Sequence, residues 1–216
     1  QTSNIFSGLS EDTYNIIVKD ANGCTETTQA ILTQPGALVA SSTPSNFNGF
    51  GVRCNGGNDG EITVSQSGGV SPYTYSIDGI TFQTSNIFSG LSAVTYTLTV
   101  KDDNGCNETD VEFLSEPLNP LLVQSTHLFF NGFGVECNGD SNGVATISLV
   151  TGGTAGYSYS WNTSPVQNTL QATGLIAGNY TCTVIDTNGC IDSTSLTIVE
   201  PPILVLSLNI TSDFNG

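Results

Sequence analysis

Apolar and polar residues alternate along Glu61-Ile-Thr-Val-Ser65, along Tyr73-Thr-Tyr-Ser-Ile77 and along Tyr96-Thr-Leu-Thr-Val100. A period of two, carried by β-branched and aromatic residues, marks half-buried strands. Turn formers separate the runs: Gly68-Gly69, Asp78-Gly79 and Asn104-Gly105. No window holds a 3.6-residue apolar stripe of helical length, so no helix is predicted. The pattern predicts about seven strands, at 37–44, 61–67, 72–78, 80–84, 86–91, 95–101 and 108–115. Short strands at close spacing with glycine-rich turns predict a sandwich.

The pattern then returns. Gln1-Thr-Ser-Asn-Ile-Phe-Ser-Gly-Leu-Ser10 recurs letter for letter at Gln83 to Ser92. Tyr14, Tyr96 and Tyr180 align, as do the turns Asn22-Gly23-Cys24, Asn104-Gly105-Cys106 and Asn188-Gly189-Cys190. The segment from Asn48 to Gly56 comes back from Asn131 to Gly139, and Phe214-Asn215-Gly216 begins it a third time. Pro35, Pro117 and Pro201 close the units. A repeat of ~83 residues is the size of a small domain. The predicted organisation is therefore the C-terminal part of one repeat (1–35), two complete repeats (36–117 and 118–201) and the start of a further one (202–216). The chain reads as a piece of a longer array.

The third unit sharpens the fold. Tyr157, Tyr159 and Trp161 share one face of a strand, and Trp161 aligns with Ile77, a core position. Tyr73 and Tyr75 fall on the inward face in the second unit. Gly178-Asn-Tyr-Thr-Cys182 matches the sixth strand of an immunoglobulin-type sandwich, whose tyrosine precedes a cysteine by two residues and forms a corner. Tyr180 and Tyr96 take that corner position. The second strand, Val144 to Leu149, has no cysteine to pair with Cys182, so Cys182 is expected as a free buried thiol acting as a small apolar residue. The expected fold class is all-β: tandem Ig-like β-sandwich domains of about seven strands each.

These motifs, in order, resemble a known family. The order is Cys-Asn-Gly-x-x-x-Gly, Gly-Gly, Tyr-x-Tyr-Ser, Gly-Leu, then Tyr-x-x-x-Val-x-Asp-x-Asn-Gly-Cys and a closing proline. It is similar to the SprB-type repeat of very large cell-surface adhesins of gliding Bacteroidetes bacteria. The resemblance implies secretion to the outer surface, tandem Ig-like domains and a part in adhesion or surface movement. It brings no catalytic residues. The unit is longer than the family's shorter repeats, and the extra length lies at Ser45–Val52.

Composition narrows the partners. Three Lys and Arg against nineteen Asp and Glu give a net charge of −16, with only 10% charged residues. A nucleic-acid partner is excluded, because phosphate binding needs a basic footprint. So is basic attachment to an anionic membrane, and no apolar run is long enough for membrane insertion. The expected partners are neighbouring repeats of the same chain, with surface polysaccharide or other chains of a filament as further candidates. The expected location is extracellular, on a bacterial surface.

Two cysteines recur per unit, one in Cys-Asn-Gly and one in Asn-Gly-Cys, which favours a disulfide framework. In an Ig-like strand order these two motifs lie at opposite ends of a domain. That is further apart than the ~5.5–6 Å Cα separation of a disulfide. A Cys54–Cys190 bond would instead staple consecutive domains. The alternative is pairing within a unit, Cys54 with Cys106 and Cys137 with Cys190, which holds if the strand order is different. Asn138-Gly-Asp140-Ser-Asn142-Gly fits the opening of a calcium loop, with Asn138, Asp140 and Asn142 as candidate ligands. Its other reading is a tight Asn/Gly turn. No other cofactor is expected. Zinc is disfavoured by the lack of Cys-x-x-Cys and by a single histidine, His127.

The chain is not expected to be an enzyme: His127 belongs to one unit only, and nucleophilic catalysis needs a histidine oriented by a partner. The leading functional expectation is a structural and adhesive segment of a long extracellular fibre or stalk. A glycan-binding module stacking sugars on Tyr73 and Tyr75, or on Tyr157, Tyr159 and Trp161, is one alternative. A passive spacer or filament subunit displaying another domain is the other.

Overall fold

A computed structural model describes residues 4–209, and these form fourteen strands and no helix. The third copy of the Phe-Asn-Gly motif lies outside the described residues. In chain order the strands are β1 (Asp12–Lys19), β2 (Thr25–Leu32), β3 (Val39–Pro44), β4 (Gly60–Ser67), β5 (Thr74–Ser76), β6 (Ile87–Leu91) and β7 (Thr95–Lys101). They continue with β8 (Asn107–Phe113), β9 (Leu122–His127), β10 (Gly143–Thr151), β11 (Ser158–Trp161), β12 (Gln171–Leu175), β13 (Gly178–Ile185) and β14 (Ile191–Ile198). The sheets are β1-β2, β3-β4-β6, β5-β7-β8, β12-β10-β9 and β11-β13-β14. Every pairing whose register is resolved is antiparallel.

One expectation is corrected. Residues 80–84 do not form a strand, so each three-plus-three set has six strands rather than seven. The alternation Ile80-Thr-Phe82 imitates a strand, but turn chemistry wins locally. Asp78 Oδ1 accepts the amides of Ile80 and Thr81 at 2.8 and 2.7 Å and the Ser76 hydroxyl at 2.8 Å. These bonds hold its carboxyl far below the usual carboxylate range. Ile80 is left 85% exposed. Only Gln83 keeps a ladder contact, exchanging backbone bonds with Tyr75.

The backbone divides into two compact units. One comprises residues 1–43, 64–86 and 97–111. It contains the β1-β2 hairpin, in register from Asp12 opposite Leu32 to Lys19 opposite Thr25. It also contains the β5-β7 pairing, with Tyr75 opposite Val100. Val64, Tyr75, Leu98 and Val100 are buried there.

The other unit comprises residues 44–63, 87–96 and 112–216. Its core shows why the alternation produces a sandwich. One sheet sends in Val123, Ala145, Ile147, Ala172 and Leu175, and the other sends in Trp161, Cys182, Val184 and Ile198. Trp161 and Cys182 are register partners across β11 and β13, so the largest core side chain sits beside one of the smallest. The indole is 1% exposed, and Nε1 donates to Thr169 O at 3.0 Å, so its one polar group is satisfied.

Candidate functional site

Each Asp-x-Asn-Gly-Cys segment is a turn built on its aspartate. In the last copy Gly189 N donates to Asp186 O at 3.0 Å, and Cys190 N donates to Asp186 Oδ1 at 2.8 Å. Asp102 does the same for Gly105 and Cys106, and Asp20 for Gly23 and Cys24. The second carboxylate oxygen of Asp186 takes Thr154 N at 2.7 Å, and that of Asp102 takes Val70 N at 2.9 Å. Both partners follow a Gly-Gly turn. The first glycine of that turn is required: a Cβ at Gly68 would collide with Ala37 O, and one at Gly152 with Pro120 O. Asp102 and Asp186 are 4% and 5% exposed, so their charge is held by backbone amides rather than by water. For Asp102 burial pushes the carboxyl up, but the amides of Val70 and Cys106 outweigh it, and the group lies below its ordinary value.

The Cys-Asn-Gly segment is a loop clamped onto a downstream Glu-Pro pair. Asn55 Nδ2 donates to Pro117 O at 2.9 Å, and Gly56 N to Glu116 Oε2 at 2.7 Å. The third repeat copies this: Asn138 Nδ2 to Pro201 O at 3.0 Å and Gly139 N to Glu200 Oε2 at 2.7 Å. Upstream, Phe47 and Phe50 exchange backbone bonds around Asn48 (φ 52°) and Gly49. Phe130 and Phe133 do the same around Asn131 (φ 51°). Asparagine tolerates the left-handed conformation this loop needs.

Turn and loop meet within the compact unit of residues 44–63, 87–96 and 112–216. Cys54 and Cys190 form a disulfide with Cα atoms 5.7 Å apart, joining positions separated by 136 residues. Beside it Asn188 is 8% exposed and fully engaged. Its Nδ2 donates to Phe47 O at 3.2 Å and Arg53 O at 3.1 Å, and its Oδ1 accepts from Asn48 Nδ2 at 2.6 Å. Arg53 lies over the Phe47 ring, 4.8 Å from its centre, and bridges Asp59 at 3.2 Å.

The remaining candidates fall as follows. Cys106 and Cys137 are exposed free thiols, as is Cys24, so neither same-unit pair (Cys54–Cys106, Cys137–Cys190) is formed. Cys182 is a buried free thiol, and burial pushes its pKa up. The calcium candidates are engaged with the backbone: Asp140 accepts Cys137 N at 3.0 Å, Asn142 accepts Glu136 N at 3.2 Å, and Asn138 serves the Pro201 clamp. No group of three or more His, Cys, Asp or Glu side chains suited to a metal ion occurs among the described residues.

Tyr75 and Trp161 are buried, while Tyr73, Tyr96, Tyr157, Tyr159 and Tyr180 are half-buried. Tyr96 and Tyr180 form corners, donating to Ser92 O and Ile176 O at 3.1 and 3.0 Å. Tyr73 and Tyr157 hook onto the Gly-Gly turns, donating to Gly68 O and Gly152 O at 2.7 and 2.9 Å. Trp161 is buried and presents no face for stacking. His127 Nδ1 donates to Leu128 O at 2.8 Å and its ring lies against Phe129.

Sequence reasoning missed Asn188 and Asn48 as junction residues, and Glu116 and Glu200 as clamps. The available signal was that Asn188, like Asn22 and Asn104, stands two residues before a cysteine, that Asn48 recurs as Asn131, and that Glu116 and Glu200 directly precede Pro117 and Pro201.

A search of curated proteins found no match. The family model described as SprB repeat matches residues 52–82 and 135–166. Both stretches begin at the valine two residues before Cys-Asn-Gly and run through β4-β5 and β10-β11 respectively. At these two places the chain is similar to the SprB repeat.

Proposed function

We propose that the chain is a load-bearing segment of a large secreted cell-surface protein of the adhesin type, built from repeats that are covalently stapled in series. The observation that carries this reading is the Cys54–Cys190 disulfide, which ties the Cys-Asn-Gly loop of one repeat to the Asn-Gly-Cys turn of the next. The SprB repeats and the all-β fold point to a structural repeat rather than an enzyme. A disulfide also suits an oxidising, extracellular location. The proposed repeat units are 36–117 and 118–201, each closed by a proline that its own loop clamps. A clamped linker transmits force between domains instead of acting as a slack hinge. On this reading the segment spans distance and presents a surface, without cofactor or catalysis, and gliding-type adhesion is its setting.

Antibodies raised against the purified chain test the location. They are expected to decorate intact, unpermeabilised cells of the source bacterium, and to block attachment of those cells to glass or polysaccharide. Labelling seen only after lysis would overturn the surface reading. Labelling of intact cells without any effect on attachment would reduce the role to that of a spacer.

A further inference from the structure

Strand β12 (Gln171–Leu175) is an edge of its sheet, paired with β10 on one side. An edge strand offers unpaired N–H and C=O groups to any other strand that reaches it. Sheets guard such edges with charge, above all lysine, with proline, or with a covering segment. Charge is missing here. No charged residue occurs from Ser141 to Ile185, a stretch that holds all of β10, β11, β12 and β13. The net charge of −16 is carried elsewhere in the chain. Val166, Leu170 and Ile176, just outside β12, are exposed apolar residues. A neutral edge with apolar flanks is a site for pairing between chains if it is left open.

The edge is not open. Gln167 lies along it. Gln167 Nε2 donates to Thr173 O at 3.0 Å, and Thr173 N donates to Gln167 Oε1 at 2.9 Å. A carboxamide carries a donor and an acceptor side by side, as a peptide group does. It therefore closes the same two-bond pair that a residue of a neighbouring antiparallel strand would close. The Thr169 hydroxyl donates to Gln171 O, two residues along the same edge.

The main chain of Gln167 serves the other sheet. Its carbonyl accepts Trp161 N at 2.9 Å in an isolated bridge to the end of β11, and its N–H donates to Thr163 Oγ1 at 3.0 Å. One residue thus spans the β11 and β12 edges. On the far side of the sandwich the other two edge strands close on each other. Val123 N of β9 donates to Asp192 Oδ2 of β14 at 2.9 Å, and the Ser125 and Thr194 hydroxyls are 3.0 Å apart.

We propose that Gln167 is an edge guard: its side-chain amide fills a strand-addition site on β12, and this keeps chains that lie side by side from joining edge to edge. An amide does here what charge does on other edges. The inference goes beyond the stapled-array reading and does not depend on it.

The full-length chain tests this, with Cys24, Cys106 and Cys137 alkylated so that no disulfide forms between copies. Gln167→Ala removes both side-chain bonds to Thr173 and keeps the backbone bond to Trp161. Gln167→Lys loses the same two bonds but sets on the edge a charge that pairing would have to desolvate. The net charge is screened with about 0.5 M salt. In dilute samples of both variants, hydrogen exchange at the Thr173 amide is expected to quicken at least about tenfold over the parent chain. At high concentration the Ala variant alone is expected to dimerise beyond the parent's level in sedimentation velocity, with the Thr173 amide protected again. Emission from buried Trp161 should match the parent throughout. An Ala variant no more associated than the parent, Ala and Lys variants associating alike, or unchanged Thr173 exchange would each overturn the proposal. Loss of the native Trp161 emission in either variant would make Gln167 a folding residue and overturn it as well.

Discussion

Asn48 donates its side-chain amide to Asn188 Oδ1 at 2.6 Å, across 140 residues of sequence. Asn188 in turn donates to the carbonyls of Phe47 and Arg53. A buried amide is costly unless bonded, and here every side-chain bond goes to the loop that holds Phe47, Asn48 and Arg53. The contact therefore fixes the junction even before the neighbouring disulfide is considered.

Asn188→Ala strips three bonds and leaves two carbonyls facing the gap. It should destabilise the junction by roughly 1–3 kcal/mol. Hydrogen exchange between residues 45 and 60 should speed up, with β10 unaffected. Asn104→Ala, at the same turn position but exposed, should change monomer stability by less than about 0.5 kcal/mol.

Tyr180→Phe keeps the ring against the core and removes only the bond to Ile176 O. A loss of about 1 kcal/mol is expected in chemical denaturation, with Tyr96→Phe giving a similar loss in its own repeat. An unchanged midpoint for both would mean that the corners are solvated rather than structural.

Cys182 should resist labelling. It lies in the core opposite Trp161, and burial raises its pKa, so the reactive thiolate is scarce. In native protein a maleimide reagent should modify Cys24, Cys106 and Cys137 and spare Cys182, which should react only after denaturation.

Asp102 should make stability acid-sensitive. Its folded pKa lies below the ordinary value, because backbone amides outweigh burial. The stability it supplies is complete above the unfolded pKa, near ~3.9, and is lost as pH falls through the lower folded value. Asp102→Asn should flatten the fall in melting temperature below about pH 4 relative to the parent chain.

Much of this was legible in the residues, for physical reasons. Period-two alternation is a local signal, so most strands could be placed directly. The repeat offset aligned Tyr14 with Tyr96 and Tyr180, and all three hydroxyls donate to the carbonyl four residues back. The 80–84 segment misled because Ile80 and Phe82 carry strand periodicity, while the deciding group, the Asp78 carboxylate, acts through backbone amides. The Asn55 clamp on Pro117 was hidden for a different reason. It joins residues 62 apart through a main-chain acceptor, and a carbonyl has no letter in the sequence.

Pulling a single molecule by its two ends measures the staple most directly. Between Cys54 and Cys190 lie positions 136 residues apart, worth roughly 450–490 Å of extended chain. In oxidising buffer that length should stay locked however far the strands unfold, and it should appear only after a reductant is added. Release of the full length without reductant would contradict the stapled junction.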